Sequence, residues 1–271
     1  MKKFLLVTTG VCIGLIFSCA QNPFTGTKSL NFVSNIQLFP SAFQEYSNFL
    51  KEHKVITGTA DAQRVENIGI KIKNAAERWL KANGQSQYLN GYQWEYKLIE
   101  SKELNAWCMP GGKIVVYSGI LPVTQNDAGL ATVMGHEVAH ALANHGAQRM
   151  SAAQLQELGA AGVALATGGK SAEQQQMWQQ YYGIGSQIGV MLPFSRNQES
   201  EADKIGLTLM ALAGYNPESA IEFWGRMSAK SSGSAPPEFM STHPADATRI
   251  ANLKRLIPAA KAEALKFGVT F

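Results

Sequence analysis

Five consecutive residues constrain this chain more tightly than its length does. Positions 136–140 read His-Glu-Val-Ala-His, among the apolar residues Leu130, Val133, Met134, Val138, Ala141 and Leu142. Such a run predicts a buried helix, capped by Asn126 or Asp127 and running to about Arg149. Two imidazoles and a carboxylate are costly to bury there without partners. Residues four apart on a helix lie about 40° apart around the axis, one turn up, so His136 and His140 can face one ion. Glu137, about 100° from His136, can reach a water beside that ion. Two neutral nitrogen donors and an adjacent base are what a catalytic zinc centre requires, together with an open position.

A third ligand must come from elsewhere. A metzincin would place glycine three residues and histidine six residues after His140; Ala143 and Gly146 stand there instead. The acids of Glu199-Ser200-Glu201-Ala202-Asp203 are the remaining source. Glu199 and Asp203 share a helix face, so Glu199 is the expected ligand, with Asp203 accepting the other ring N–H of a ligating histidine. Glu201, about 200° from Glu199, is expected to point away and is the other candidate ligand. His145 lies about 180° round from His136 and is expected to serve the last carbonyls of its helix.

The rest of the chain reads as mostly helical. Asp61 is the expected cap of an amphipathic helix marked by Val65, Ile68, Ile72 and Trp79. Tyr92 to Leu98 alternates as a strand, and a second strand is expected from about Lys113 to Leu121, across the turn-rich Asn105–Gly112 segment. The 113–118 strand is the expected pairing site for an extended substrate backbone. Gly159 to Gly168 is apolar but too short to span a bilayer, and is expected as a buried helix beside the site. Ser195 and Gln198 fit a capping box opening the helix that carries Glu199. Residues 231–237 read as a loop and 244–256 as a closing helix. The fold class is α+β, predominantly helical, with one small antiparallel sheet.

The N-terminus is a sorting signal by its anatomy. Lys2 and Lys3 precede an apolar run from Phe4 to Phe17 that ends in Leu15-Ile16-Phe17-Ser18-Cys19. That end resembles a bacterial lipobox, which would make Cys19 the lipid-bearing first mature residue. The implied division is a signal at 1–18, a lipid-anchored segment at 19–60 and a catalytic domain at 61–271. Removing the signal takes away two lysines and no acid, lowering the formal charge from +4 to +2. So mild a balance gives no support to nucleic-acid binding. Ala20 rather than aspartate after Cys19 favours the periplasmic face of an outer membrane. Cys108 is left as the one mature thiol besides Cys19, so a disulfide framework is excluded.

His-Glu-x-x-His followed by Glu-x-x-x-Asp resembles a gluzincin. With Asn22-Pro23-Phe24-Thr25-Gly26, Asn105 to Gly112, Ser195 to Asp203 and Thr242-His243-Pro244 to Ile250, the chain is similar to peptidase family M48, the HtpX-like and CAAX prenyl-protease type, in its small lipid-anchored branch. The resemblance implies a zincin-type fold, one zinc ion per chain, endopeptidase activity and clearance of unfolded or misfolded envelope proteins. It implies ligation by His136, His140 and Glu199, with Glu137 as the base. It also draws His243 into the site, as oxyanion stabiliser or fourth ligand, and Arg249 as holder of that loop or partner of a nearby acid. The rival expectation is a non-catalytic lipoprotein that keeps zinc for structure.

Overall fold

A computed structural model describes residues 19–230, 238–244 and 247–271; the expected signal at 1–18 and loop at 231–237 lie outside the described residues. The chain opens with an antiparallel pair, β1 (Cys19–Gln21) and β2 (Lys28–Leu30). Helix α1 (Asn35–Glu52), strand β3 (Val55–Ile56) and helix α2 (Ala60–Ala82) follow. The N-cap of α2 is Thr59, whose hydroxyl accepts from the Ala62 N–H at 3.2 Å, two residues before the expected Asp61. Val65, Ile68 and Ile72 of α2 are buried, as its periodicity predicts.

Strands β4 (Glu95–Ile99), β5 (Ala106–Met109) and β6 (Lys113–Tyr117) complete a four-stranded sheet in the order β3-β4-β6-β5. The sheet is mixed, not wholly antiparallel: β4 and β6 run parallel, with Glu95 opposite Lys113. The cause lies in the segment expected to be only a turn. Its first half is β5, and Gly111 and Gly112, both at positive φ, fold the chain back so that β5 pairs antiparallel with β6. Strand β6 is therefore an inner strand, buried throughout, and cannot accept a further strand; the edge belongs to β5.

A short helix α3 (Leu121–Thr124) leads into α4 (Asp127–Leu142), the helix of the His-Glu-x-x-His motif. Asn126 caps it, accepting from Gly129 N–H at 2.8 Å. Every residue from Gly129 to Leu142 is buried, as an all-round apolar helix requires. It ends at Leu142 rather than near Arg149, because Asn144 takes a left-handed conformation, φ 59°, and starts a new helix, α5 (His145–Thr167). Helix α6 (Ala172–Ser186) returns along α5 and passes through a π turn, Gln187–Met191, into α7 (Leu192–Leu212). The helical run is unbroken there, so no capping box forms at Ser195. Gln198 instead donates to Gln148 Oε1 at 3.0 Å.

The α5–α6 hairpin is not a buried element. Leu158, Leu165, Trp178, Tyr181, Ile184 and Ile188 are exposed along it. Its apolar composition reads as core, but over this stretch the two helices pack chiefly on each other. Among the described residues no helix is long and apolar enough to cross a membrane.

Helices α8 (Ser219–Lys230), α9 (Glu238–Thr242) and α10 (Ala247–Lys266) close the fold. The final helix runs ten residues beyond the expected Leu256. The crossing of α4 and α7 is set by two glycines. A Cβ on Gly206 would meet His136 N at 2.9 Å, and one on Gly135 would meet Gly206 O at 3.0 Å. Without side chains at the crossing the two backbones touch, and the acids of α7 come within reach of the histidines of α4.

Candidate metal centre

His136 and His140 stand one turn apart on α4, and Glu199 faces them from α7. Glu199 Oε2 is 3.2 Å from His136 Nε2, and Glu199 Oε1 is 3.2 Å from His140 Nε2. His243, in the turn after α9, brings its Nδ1 to 3.1 Å from His136 Nε2 and 2.8 Å from Glu199 Oε2. One donor atom from each of the four residues lies within 4.8 Å of the others.

The hydrogen bonds behind these groups decide what the cluster can hold. His136 Nδ1 is 3.0 Å from Asp203 Oδ1, and a carboxylate only accepts, so this nitrogen carries the proton. His140 Nδ1 is 2.8 Å from His145 Nδ1. His145 Nε2 in turn is 3.1 Å from Glu201 Oε2 and must donate to it. Burial pushes the His145 imidazole down toward the neutral form, which leaves its Nδ1 as an acceptor. His140 Nδ1 is then a donor as well. Both Nε2 atoms, 3.0 Å apart, point at each other and at the Glu199 carboxylate. Nitrogen and carboxylate donors converging in this way fit a divalent metal, which would take the place of the proton between them.

Charge around the centre is ordered by the same contacts. Burial would raise the Glu199 carboxyl, but hydrogen bonds with His136, His140 and His243 hold it far below the ordinary carboxylate range. His136 is pulled down by burial and by Arg249, yet its bonds to Asp203 and Glu199 push it up to about 9 in the metal-free chain. Burial drives His140 well below the usual histidine range. Arg249 answers Asp203 with two bonds, 2.9 Å from Nε to Oδ2 and 2.6 Å from Nη2 to Oδ1. Its guanidinium lies 3.5 Å from the Trp224 ring centroid, and its Nη1 donates to Pro244 O at 3.1 Å, beside His243. Glu137 is buried next to the cluster, where desolvation pushes its carboxyl up. Its Oε1 has no hydrogen-bond partner; His243 Nε2 is 3.5 Å away.

All the expected site residues of α4, α7 and the His243 turn are thus brought together. The side chain of Cys19 is outside the described residues. Two residues escape the helical-wheel argument. His145 serves no carbonyl at a helix C-terminus; it opens α5 and is fully buried against His140. Glu201 does point away from Glu199, but onto His145 rather than into solvent. The left-handed Asn144 turns His145 back, and an asparagine followed by a second histidine was the available signal.

Comparison with known proteins places residues 70–257 in the family described as Peptidase family M48. The chain is 35% identical to the mitochondrial metalloendopeptidase OMA1 of Saccharomyces cerevisiae over 204 residues, 73% of this chain and 56% of that protein. It is 28% identical to the metalloendopeptidase OMA1 of Homo sapiens over 246 residues, 88% of this chain and 46% of that one. It is 30% identical to the beta-barrel assembly-enhancing protease of Escherichia coli over 166 residues, 58% of this chain and 33% of that protein. The chain spans between about a third and just over half of the length of the first curated relatives it matches.

Proposed function

The chain belongs to peptidase family M48, and from that premise we propose that it is a zinc-dependent endopeptidase of the cell envelope, cleaving unfolded or misfolded envelope proteins. The observation that carries this reading is the convergence of His136 Nε2, His140 Nε2 and the Glu199 carboxylate beside a buried, unpartnered Glu137 oxygen. The relatives' names, metalloendopeptidase and protease, support peptide-bond hydrolysis.

His136, His140 and Glu199 would hold the zinc ion, which when bound supplies a Lewis acid for the scissile carbonyl and the attacking water. Glu137 takes the water's proton and passes it to the leaving amine. Asp203 fixes the ring of His136, and Arg249 keeps Asp203 charged while tying down the turn of His243. His243 reads as a fourth ligand rather than an oxyanion stabiliser, because its Nδ1 lies inside the donor cluster. Substrate then requires that turn to withdraw. The β5 edge, next to a cleft lined by Cys108, Met109, Pro110 and His140, is the place for an extended backbone to pair. Main-chain pairing tolerates many sequences, which suits unfolded substrates.

The charged start, apolar run and lipobox ending at Cys19 support a lipid anchor there, and Ala20 favours an outer membrane facing the periplasm. Glu137→Gln tests the reading. It should bind zinc like the wild type and lose casein cleavage by about 10²–10⁴-fold. Retained cleavage in a clean preparation overturns the base assignment. Wild-type chain with zinc bound and no chelator-sensitive cleavage would favour the non-catalytic rival instead.

A further inference from the structure

The turn that follows Cys19 reaches the metal centre. Asn22 to Gly26 closes on itself: Gly26 N–H donates to Asn22 O at 2.8 Å, and Phe24 N–H to Asn22 Oδ1 at 2.9 Å. Phe24 stacks on Trp79 of α2, ring centroids 4.4 Å apart, which fixes the turn on the body. Asn22 is buried, and its Nδ2 donates to Glu201 Oε1 at 3.0 Å; the Thr25 hydroxyl meets the same oxygen. The other oxygen of Glu201 accepts from His145 Nε2, and His145 Nδ1 accepts from His140 Nδ1. Asn22 Nδ2, His145 Nε2 and His140 Nδ1 each have one acceptor in this series, and a proton on His140 Nδ1 leaves its Nε2 as a lone pair. None of Asn22, Thr25, His145 or Glu201 is a ligand or a base in the proposed reaction.

We propose that His145 and Glu201, braced by the Asn22–Gly26 turn, are positioning residues that fix the ring and tautomer of the metal ligand His140. The proposal builds on the metal-centre reading. Outer hydrogen bonds to a ligating histidine typically change metal affinity by about 10–100-fold when removed. Here the outermost brace is a turn three residues beyond the expected lipid attachment. The metal site therefore depends on a segment outside the catalytic helices.

The test uses the full chain and zinc, by chelator competition. His145→Phe fills the space and offers no acceptor; it should weaken zinc binding by about 10–100-fold. His145→Gln can accept from His140 and donate to Glu201, and should restore most of that loss. Asn22→Ala should weaken zinc binding severalfold, and wild-type affinity in this variant overturns the bracing role of the turn. Nitrogen-15 imidazole shifts should show His140 protonated at Nδ1 in the zinc-loaded wild type. A wild-type chain that holds no zinc overturns the metal-centre reading and this one with it. Wild-type affinity in His145→Phe, or equal losses in the Phe and Gln variants, overturns the positioning role alone.

Discussion

At the scale of single residues the centre is a set of buried charges that need one another. Arg249 is the clearest case, since it is buried against Asp203 and a ring face. Arg249→Ala leaves the Asp203 carboxylate uncompensated in the interior and should cost about 3–5 kcal/mol, read by urea unfolding of the metal-free chain. Arg249→Met combined with Asp203→Asn should cost less, because neither charge is then left alone. His136 makes a pH prediction. With its imidazole pushed up to about 9, a proton competes with the metal below that value. Zinc affinity should fall by up to about tenfold per unit as pH drops from 9 toward 6, measured by competition at fixed ionic strength. The sign reverses for the metal-free fold. A raised histidine stabilises the folded chain fully below its ordinary value of 6.5, and that contribution is lost as pH climbs through about 9. Cys108 offers a control: desolvation pushes its thiol well up, so although it is half-buried at the cleft it should alkylate more slowly at pH 8 than in the denatured chain.

At the scale of elements, the close crossing of α4 and α7 sets the spacing of the donors. Gly206→Ala inserts a methyl where His136 N would lie at 2.9 Å. It should destabilise the chain by about 1–3 kcal/mol and weaken zinc binding together, because the helices can only part by moving Glu199 from the histidines. Unfolding and chelator competition on one preparation check both. The helix of the ligands was legible because four-residue spacing is local chemistry, and the acids of α7 were legible by the same wheel. The turn at Asn144 was not. A helix signal continues through Ala143 to Arg149, and one left-handed residue decides otherwise. Strand order was also out of reach, since which strand lies inside a sheet is fixed by pairing between distant segments. The α5–α6 hairpin misled for a different reason. Apolar content predicts burial only where something covers it, and composition does not say what does. Leu158→Glu with Leu165→Glu should therefore leave the unfolding midpoint within about 0.5 kcal/mol of wild type while reducing self-association in sedimentation.

At the scale of the whole molecule, the donor set joins α4, α7 and the turn between α9 and α10, three segments far apart in sequence. Metal removal should loosen all three at once. At a thousandfold excess of zinc over its dissociation constant, the bound ion adds about 4 kcal/mol to stability. Chelation should lower the melting temperature accordingly, and scanning calorimetry with and without chelator reads the difference.

Cys19 lies in strand β1, and the turn that follows is stacked on α2 and bonded to α7. Three residues extend roughly 10 Å at most. A lipid on Cys19 would then leave little leash: the cleft would be held near the bilayer and would sweep only a thin layer of solvent. Its diet would be sorted by altitude, with chains that stall close to the lipid surface meeting it by two-dimensional diffusion and those adrift farther out passing beyond its reach.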